Sequence, residues 1–301
     1  VVVAGAAGFL GRAIVGALGR RDHEVVELTR AEADIADPAA LARLDARGDV
    51  LVNAAARTPA PGNDDLRAYL AANTVGAAEL IAWALGAGIR RIVHCSTLAV
   101  VARPWPVPLD EAAPTYPIGA AARYAVSKLA GEVLVATQCR AAGVPYVILR
   151  ESALYGPGMA WHGLVPRFVD LALGLAPDLG SGLARAPVDG RPRVDAGGQT
   201  TVDLLHVDDA AAAVAAAVEA DVTGVLHVAA GDEVSIARVA ELVLAAAGRA
   251  TDEYDVVADG VAARAVVSIE RIRRELGWAP AVPLADGLRA VVAARRAAVR
   301  T

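Results

Sequence analysis

The sequence predicts a doubly wound α/β fold, a parallel sheet with helices on both faces, and a smaller C-terminal lobe. Three observations carry this. Short apolar runs alternate with stretches of helical length from the first residue. Those runs are apolar nearly throughout, as strands are when both faces of their sheet are covered. The first run also passes straight into a glycine-rich turn that opens a helix.

Taken in order, the expected strands are VVVAG (1–5), EVVEL (24–28), DVLVNAA (49–55), RIVHCST (91–97), PYVILR (145–150) and VLHVA (225–229). Segments 11–20, 38–46, 65–87 and 122–142 have helical length and separate the early strands. Alternation of this kind places consecutive strands parallel. The regularity fails between about 156 and 200, where Pro157, Pro166, Pro177, Pro187 and Pro192 stand among many glycines. That region reads as loops around one helix near 164–174. A short strand, a helix from Asp208 and helices at 235–247 and 270–276 follow. The expected division is a core of residues 1–150 plus about 201–229, and a lobe of about 151–200 and 230–301.

Composition removes several function classes. The 301 residues are 55% hydrophobic and only 4% aromatic, so a sizeable core must be built from small side chains. Lys+Arg 29 against Asp+Glu 34 gives a net charge of −5 with no long run of one sign, which offers no basic face for nucleic acid. Cys95 and Cys139 are the two cysteines and show no paired Cys/His spacing, against both a metal site and a disulfide framework. The alanine-rich stretch 210–217 is bounded by Asp208, Asp209, Glu219 and Asp221, and reads as a packed helix rather than a membrane span. A cytoplasmic protein without membrane partners is expected. The chain opens inside an apolar run, so a few residues, the initiator Met among them, are expected ahead of it.

The turn after the first strand is GAAGFLG, with Gly5, Gly8 and Gly11 around Phe9 and Leu10, and a helix expected from near Arg12. Glycines here allow a tight turn and bring backbone amides against a pyrophosphate at a helix N-terminus, where the helix dipole favours anions. A second pattern is RYAVSK (123–128), which sets Tyr124 and Lys128 four apart on one helix face. The spacing fits two surface residues, and equally a phenol and an ammonium that move a proton.

The order GxxGFLG, then YxxxK, resembles the short-chain dehydrogenase/reductase superfamily, and more closely its extended branch, the NAD-dependent epimerase/dehydratase family. The likeness spans essentially the whole chain. Asp34-Ile35 stands where that family contacts the adenine, VNAAA (52–56, with Ala54, Ala55 and Ala56) matches a strand motif, and Asn73 matches a recurring asparagine. HVDD (206–209) and ELGWAP (275–280) match late segments. The resemblance implies a Rossmann-type sheet and a homodimer paired through helices 65–87 and 122–142.

It also implies roles. Tyr124 becomes the proton donor and acceptor beside the nicotinamide. A free phenol has a pKa of about 10, and Lys128 is expected to lower it while hydrogen-bonding the nicotinamide ribose. Thr97, in HCSTLAV, is expected to orient the substrate oxygen, with Ser96 the less favoured hydroxyl. His94, Cys95, His206, His227, Trp105 and Trp278 read as core. NAD-using members carry an acid where Thr29 stands, so Thr29 with Arg30 favours NADP(H), Arg30 pairing with the 2′-phosphate. NAD(H) is the alternative, and Glu27 is the acid only if the register shifts.

Four departures bear on substrate. Leu98 and Ala99 replace the Asp-Glu pair of the family's sugar dehydratases and cannot exchange protons, which disfavours dehydration. Ala153 and Val202 replace an asparagine and an arginine that contact a nucleotide diphosphate. Arg167, Arg185, Arg191 and Arg193 are candidate substitutes, with His162 and Trp161 near the expected substrate entrance. The reading is a reductase of a ketone on a nucleotide-linked deoxysugar or another natural-product intermediate. An epimerase that retains NAD is the alternative, and a non-catalytic dinucleotide sensor the third.

Overall fold

The computed structural model describes residues 1–60, 64–117, 122–160, 162–175 and 191–300. Its strands in chain order are β1 (Val2–Ala4), β2 (Val26–Leu28), β3 (Val50–Asn53), β4 (Arg91–Thr97), β5 (Tyr146–Glu151), β6 (Ala153–Tyr155), β7 (Arg193–Val194), β8 (Thr201–Val202), β9 (Leu204–His206), β10 (Gly224–Val228), β11 (Val234–Ser235) and β12 (Asp255–Val256). Six form one parallel sheet in the order β10-β5-β4-β3-β1-β2. The chain thus winds one way from β1 to β2 and the other way from β3 onward. The crevice between β1 and β3, at the strands' C-terminal ends, is where such sheets bind ligands.

The uniformly apolar strands are explained by two cores. Val3, Val52, Val93 and Leu149 enter one, with Ile14, Leu18 and Val214 from helices α1 (Phe9–Gly19) and, further along, residues 207–219. Val2, Leu51, Ile92 and Ile148 enter the other. Alternate residues therefore face opposite layers, and both layers are covered. After α2 (Pro38–Ala42), capped by Asp37, the second layer is built from α3 (Leu66–Tyr69), α4 (Ala77–Gly86) and α5 (Ala122–Ala142).

The helix expected over 65–87 is interrupted. Residues Leu70–Gly76 between α3 and α4 form a π-helical stretch, a feature common at functional sites. Leu66–Gly86 is long and apolar enough by composition to cross a membrane, but Leu80, Ile81 and Ala84 pack into the sheet's second core.

The remaining helices are α6 (Leu164–Ala172), α7 (Val207–Glu219), α8 (Ile236–Ala247), α9 (Glu270–Leu276) and α10 (Leu284–Arg300). Helix α10 has no counterpart in the sequence expectation, which ended at 276. With α6 and α8 it builds a third core around Phe168, Val239, Leu244, Leu288 and Val291. The two late motifs meet: the Asp209 carboxylate accepts from the Ala281 and Val282 amides at 2.9 and 3.0 Å, and Trp278 Nε1 donates to the Asp209 carbonyl at 3.1 Å. His94, Cys95, His206, His227 and Trp278 are buried, as expected of core residues, and half-buried Trp105 packs against the first core.

Candidate active site

The glycine turn is sterically required. Gly5 sits at φ +80°, in the left-handed region, and a Cβ there would lie 2.7 Å from the Ala55 nitrogen and 2.8 Å from the Ala54 carbonyl carbon. A Cβ on Gly11 would lie 2.0 Å from the Gly5 carbonyl oxygen. Only hydrogens fit at both places. Gly8 caps α1 without any side chain, so the helix starts at Phe9 rather than near Arg12. The first-turn amides of Phe9, Leu10 and Gly11 have no partner one turn earlier within α1, which is the feature an anion site at a helix N-terminus uses. The chain therefore fits a dinucleotide pyrophosphate at this point.

Ala54 and Ala55 stand against Gly5 across the turn, and Asn73 pins the loop that continues through Ala56 to Arg57. Its Oδ1 accepts from the Arg57 amide at 2.8 Å, and its Nδ2 donates to the Arg57 carbonyl at 2.9 Å and to Ser127 Oγ at 3.0 Å. Ser127 Oγ in turn donates to the Tyr124 carbonyl at 2.7 Å. One buried asparagine thus joins the loop after β3 to the helix that carries the tyrosine.

The ribose end differs from the sequence expectation of a site bare of acid. The Glu32 carboxylate is seated on Thr29, accepting from its amide at 2.7 Å and also from its hydroxyl. Those two bonds hold the Glu32 carboxyl below its usual range. Arg30 is 72% exposed and paired with Asp34 through Nε–Oδ2 at 3.2 Å. Ile35 is buried in the second core, next to Gly76.

Thr97 ends β4, and its hydroxyl both accepts from the Ala99 amide at 3.2 Å and reaches Tyr124. Ser96 turns elsewhere: its Oγ donates to Glu132 at 2.5 Å, and Glu132 is held by Arg150 at 2.8, 3.1 and 3.2 Å. The hydroxyl beside the tyrosine is therefore that of Thr97. The Tyr69 ring meets Tyr124 edge-on at 6.0 Å, which fixes the phenol's orientation.

The electrostatics correct one expectation. Burial drives the Tyr124 pKa above its ordinary value, the Glu151 charge adds to this, and the Thr97 hydroxyl opposes it. Lys128 is deeply buried, and its Nζ donates to the Cys95 carbonyl at 2.8 Å instead of serving the phenol. Burial lowers the lysine's own pKa, against the charges of Cys95, Glu151 and Glu132. Burial thus favours the neutral phenol over the phenolate.

Glu151, at the end of β5, was missed in the sequence although a carboxylate closing the apolar run PYVILR was visible there. Burial pushes its carboxyl up to about 8, with Lys128 and the Cys95 thiol acting the other way. Tyr69, Glu132 and Arg150 were also missed.

The expected substrate residues differ in exposure. Leu98 is only 2% exposed and belongs to the first core, so it lines no substrate surface. Ala153 is exposed on β6; Val202, on β8, packs against the third core; His162 and Arg167 are half-buried. Arg191 and Arg193 are engaged by Asp255 and Asp195, at 4.0 and 2.9 Å. Trp161, Pro177, Arg185 and Pro187 lie outside the described residues. A cleft of about 660 Å³ is lined by Gln199, Thr201, Glu233, Arg238 and Arg264 among others, and includes none of the Thr97–Tyr124–Lys128 group.

Comparison with known proteins agrees with this geometry. Residues 1–231 match the family described as NAD dependent epimerase/dehydratase. A 3-diazoavenalumate denitrifying reductase from a Streptomyces species is 36% identical over 76% of this chain and 75% of its own. A dTDP-glucose 4,6-dehydratase from an Actinoplanes species is 30% identical over 88% and 78%. The Thermus thermophilus UDP-glucose 4-epimerase, solved in complex with NAD, superposes with a TM-score of 0.80 at 25% identity over 99% of both chains. With the glycine turn at the sheet's switch point and a tyrosine–lysine helix beside it, the chain belongs to the NAD-dependent epimerase/dehydratase family, as an NAD(P)-dependent enzyme of the extended short-chain dehydrogenase/reductase type.

Proposed function

We propose that this enzyme reduces a ketone, with Tyr124 as the proton donor. The observation that carries the reading is the pairing of the Thr97 hydroxyl with a phenol that burial holds neutral. When bound, the reduced nicotinamide supplies hydride to the carbonyl carbon. Thr97 Oγ1 holds the carbonyl oxygen, and Tyr124 Oη gives its proton to the alkoxide that develops there. An ammonium has three donors; Lys128 spends one on Cys95 and offers the others to the nicotinamide ribose. Positions 98 and 99 carry a buried leucine and an alanine, neither of which exchanges protons, and this argues against the dehydration performed by the Actinoplanes relative.

A nucleotide-linked keto sugar or another natural-product ketone fits the relatives' chemistry as substrate. With Ala153 and Val202 at two contact positions, Arg167 is the candidate cation among the described residues left to meet a diphosphate. Burial lowers its pKa, with Asp195 acting against this. NADP(H) is the preferred cofactor in this reading, with Arg30 leaving Asp34 for the 2′-phosphate. A second copy of the chain covers the apolar side chains Val126, Val133 and Leu134 that α5 exposes, with Leu66 and Val75 beside them.

One observation favours a second reading, an epimerase that retains NAD. Glu32 places a carboxylate at the ribose end, where an acid accepts from ribose hydroxyls and repels a 2′-phosphate. Denaturing freshly purified protein and identifying the released nucleotide separates the two. Stoichiometric NAD selects the epimerase; an empty site that binds NADPH and then reduces ketones selects the reductase. The Tyr124→Phe variant should lose turnover by at least about a hundredfold with cofactor affinity nearly intact. Turnover near wild type would sink either mechanism.

A further inference from the structure

The end of α1 that meets the glycine turn carries a cation with no role so far. Arg12 is exposed, and its Nη1 donates to the carbonyl of Ala7, a residue of the turn itself. Side chains on a helix lean toward its N-terminus. The guanidinium therefore lies back over the first turn of α1, on the side where Ala7 and Gly8 are exposed.

Two contacts define its place. The Ala7 carbonyl is one. The other is the loop after β6, where a Cβ built on Gly158 would lie 3.5 Å from Nη2, an ordinary contact distance. That loop is itself seated closely on α7, since a Cβ on Gly156 would lie 2.7 Å from Val207 Cγ1. Pairing sets Arg12 apart from its neighbours as well. Arg21 and Arg30, which flank β2, are engaged by Glu219 and Asp34. Arg12 has no carboxylate partner among the described residues. Its bond to a neutral carbonyl uses one of five N–H donors, and the others suit an anion.

The anion that belongs at this place is the pyrophosphate for which the glycine turn makes room. A pyrophosphate linkage carries two negative charges, whereas the dipole of α1 offers the equivalent of about half a positive charge. A full cation at the same end of the helix narrows that gap. We propose that Arg12 is a further cofactor-binding residue, holding the dinucleotide's pyrophosphate from the side of the turn that faces the 156–158 loop. The inference rests on the family's dinucleotide site and holds for the reductase and the epimerase readings alike.

The test is binding and needs no turnover. ADP-ribose, NADH and NADPH share the pyrophosphate. In calorimetric titrations of protein freed of nucleotide, Arg12→Ala should bind all three about ten- to a hundredfold more weakly than wild type. Wild-type affinity should also fall more steeply with added salt than that of the variant, which lacks the screened cation. Arg12→Lys keeps the charge without the planar fork and should recover part of the loss. Should Arg12→Ala melt early in the ligand-free state, Arg12→Gln, which keeps a donor and removes the charge, carries the comparison. Unchanged affinity for all three ligands would overturn the proposal, and so would a loss confined to NADPH. Weaker binding of UDP with ADP-ribose unaffected would also overturn it, by placing Arg12 on a substrate diphosphate. Since no arm uses a ketone, a protein that reduces none refutes the reductase reading alone.

Discussion

Replacing Gly131 by alanine tests how the tyrosine helix is seated. Gly131 lies on α5, three residues after Lys128, where the helix crosses the π-helical stretch. A Cβ there would lie 2.3 Å from the Asn73 carbonyl oxygen, whereas ordinary contact begins at 3.4 Å. The two segments must part by about 1 Å, and the obstructing atom is backbone that cannot rotate away. Overpacking of this kind costs about 1–3 kcal/mol. Each kcal/mol lowers Tm by about 2–4 °C in domains of 150–250 residues, and somewhat less in a longer chain. Asn73 also carries Ser127 and the Arg57 backbone, so the displacement reaches both Tyr124 and the loop after β3. The variant should melt earlier and bind dinucleotide more weakly. Gly86→Ala is the control, since nothing lies within 4 Å of a Cβ there; alanine at that helical position should be neutral or stabilising by up to about 1 kcal/mol. Thermal unfolding and a fluorescence titration with dinucleotide read both effects. If the two variants behave alike in both assays, close approach at Asn73 does not position the site.

Three further outcomes are expected. Glu32→Gln removes the ribose-end charge and should shift preference from NADH toward NADPH, while Arg30→Ala should shift it back; equal losses for both cofactors in Arg30→Ala would mean that Arg30 does not read the 2′-phosphate. Val133→Glu places a charge on the exposed apolar side of α5 and should convert a dimer to monomer in sedimentation, with an unchanged sedimentation profile excluding this face as the interface. The Glu151 carboxyl has a native pKa raised from 4.5 to about 8, so over that range the unfolded chain releases a proton that the native state keeps. Its contribution to stability should fall as pH rises from about 4.5 to 8 and level off above, and Glu151→Gln should flatten that slope in urea unfolding.

Elements that depend on local pattern were legible in the sequence. The runs RIVHCST and 122–142 match β4 and α5 residue for residue, because continuous burial and helical length are both written locally. The glycine turn was read correctly as a turn, yet the helix start was placed three residues late, since Gly8 caps α1 with backbone alone and leaves no side-chain signal. Helix α10 was readable: Leu284, Leu288 and Val291 recur at helical spacing. What local pattern does not carry is which distant groups meet. Glu32 returns to Thr29 through a turn, Asn73 reaches Ser127 from a π-helical stretch, and Lys128 leaves its i−4 neighbour for a carbonyl on β4. The spacing of Tyr124 and Lys128 places them on one face; it does not say where the ammonium points.

That distinction bears on the direction of the reaction. Reductase and epimerase use the same three side chains, so their identities cannot separate the two; the raised pKa of the phenol is what favours the proposed reductase. Reduction begins with Tyr124 as an acid and needs it protonated. Epimerisation begins with oxidation of an alcohol and needs a base in the same place. Here burial opposes the phenolate, the Glu151 charge adds to this once that carboxyl ionises near pH 8, the Thr97 hydroxyl acts against both, and the cation expected to stabilise it is bonded to the Cys95 carbonyl. An epimerase on this chain would have to recover the missing positive charge from the oxidised nicotinamide ring, and so would work only with the cofactor held throughout. The proposed reductase needs no such help, because burial already favours the protonated phenol that its first step uses.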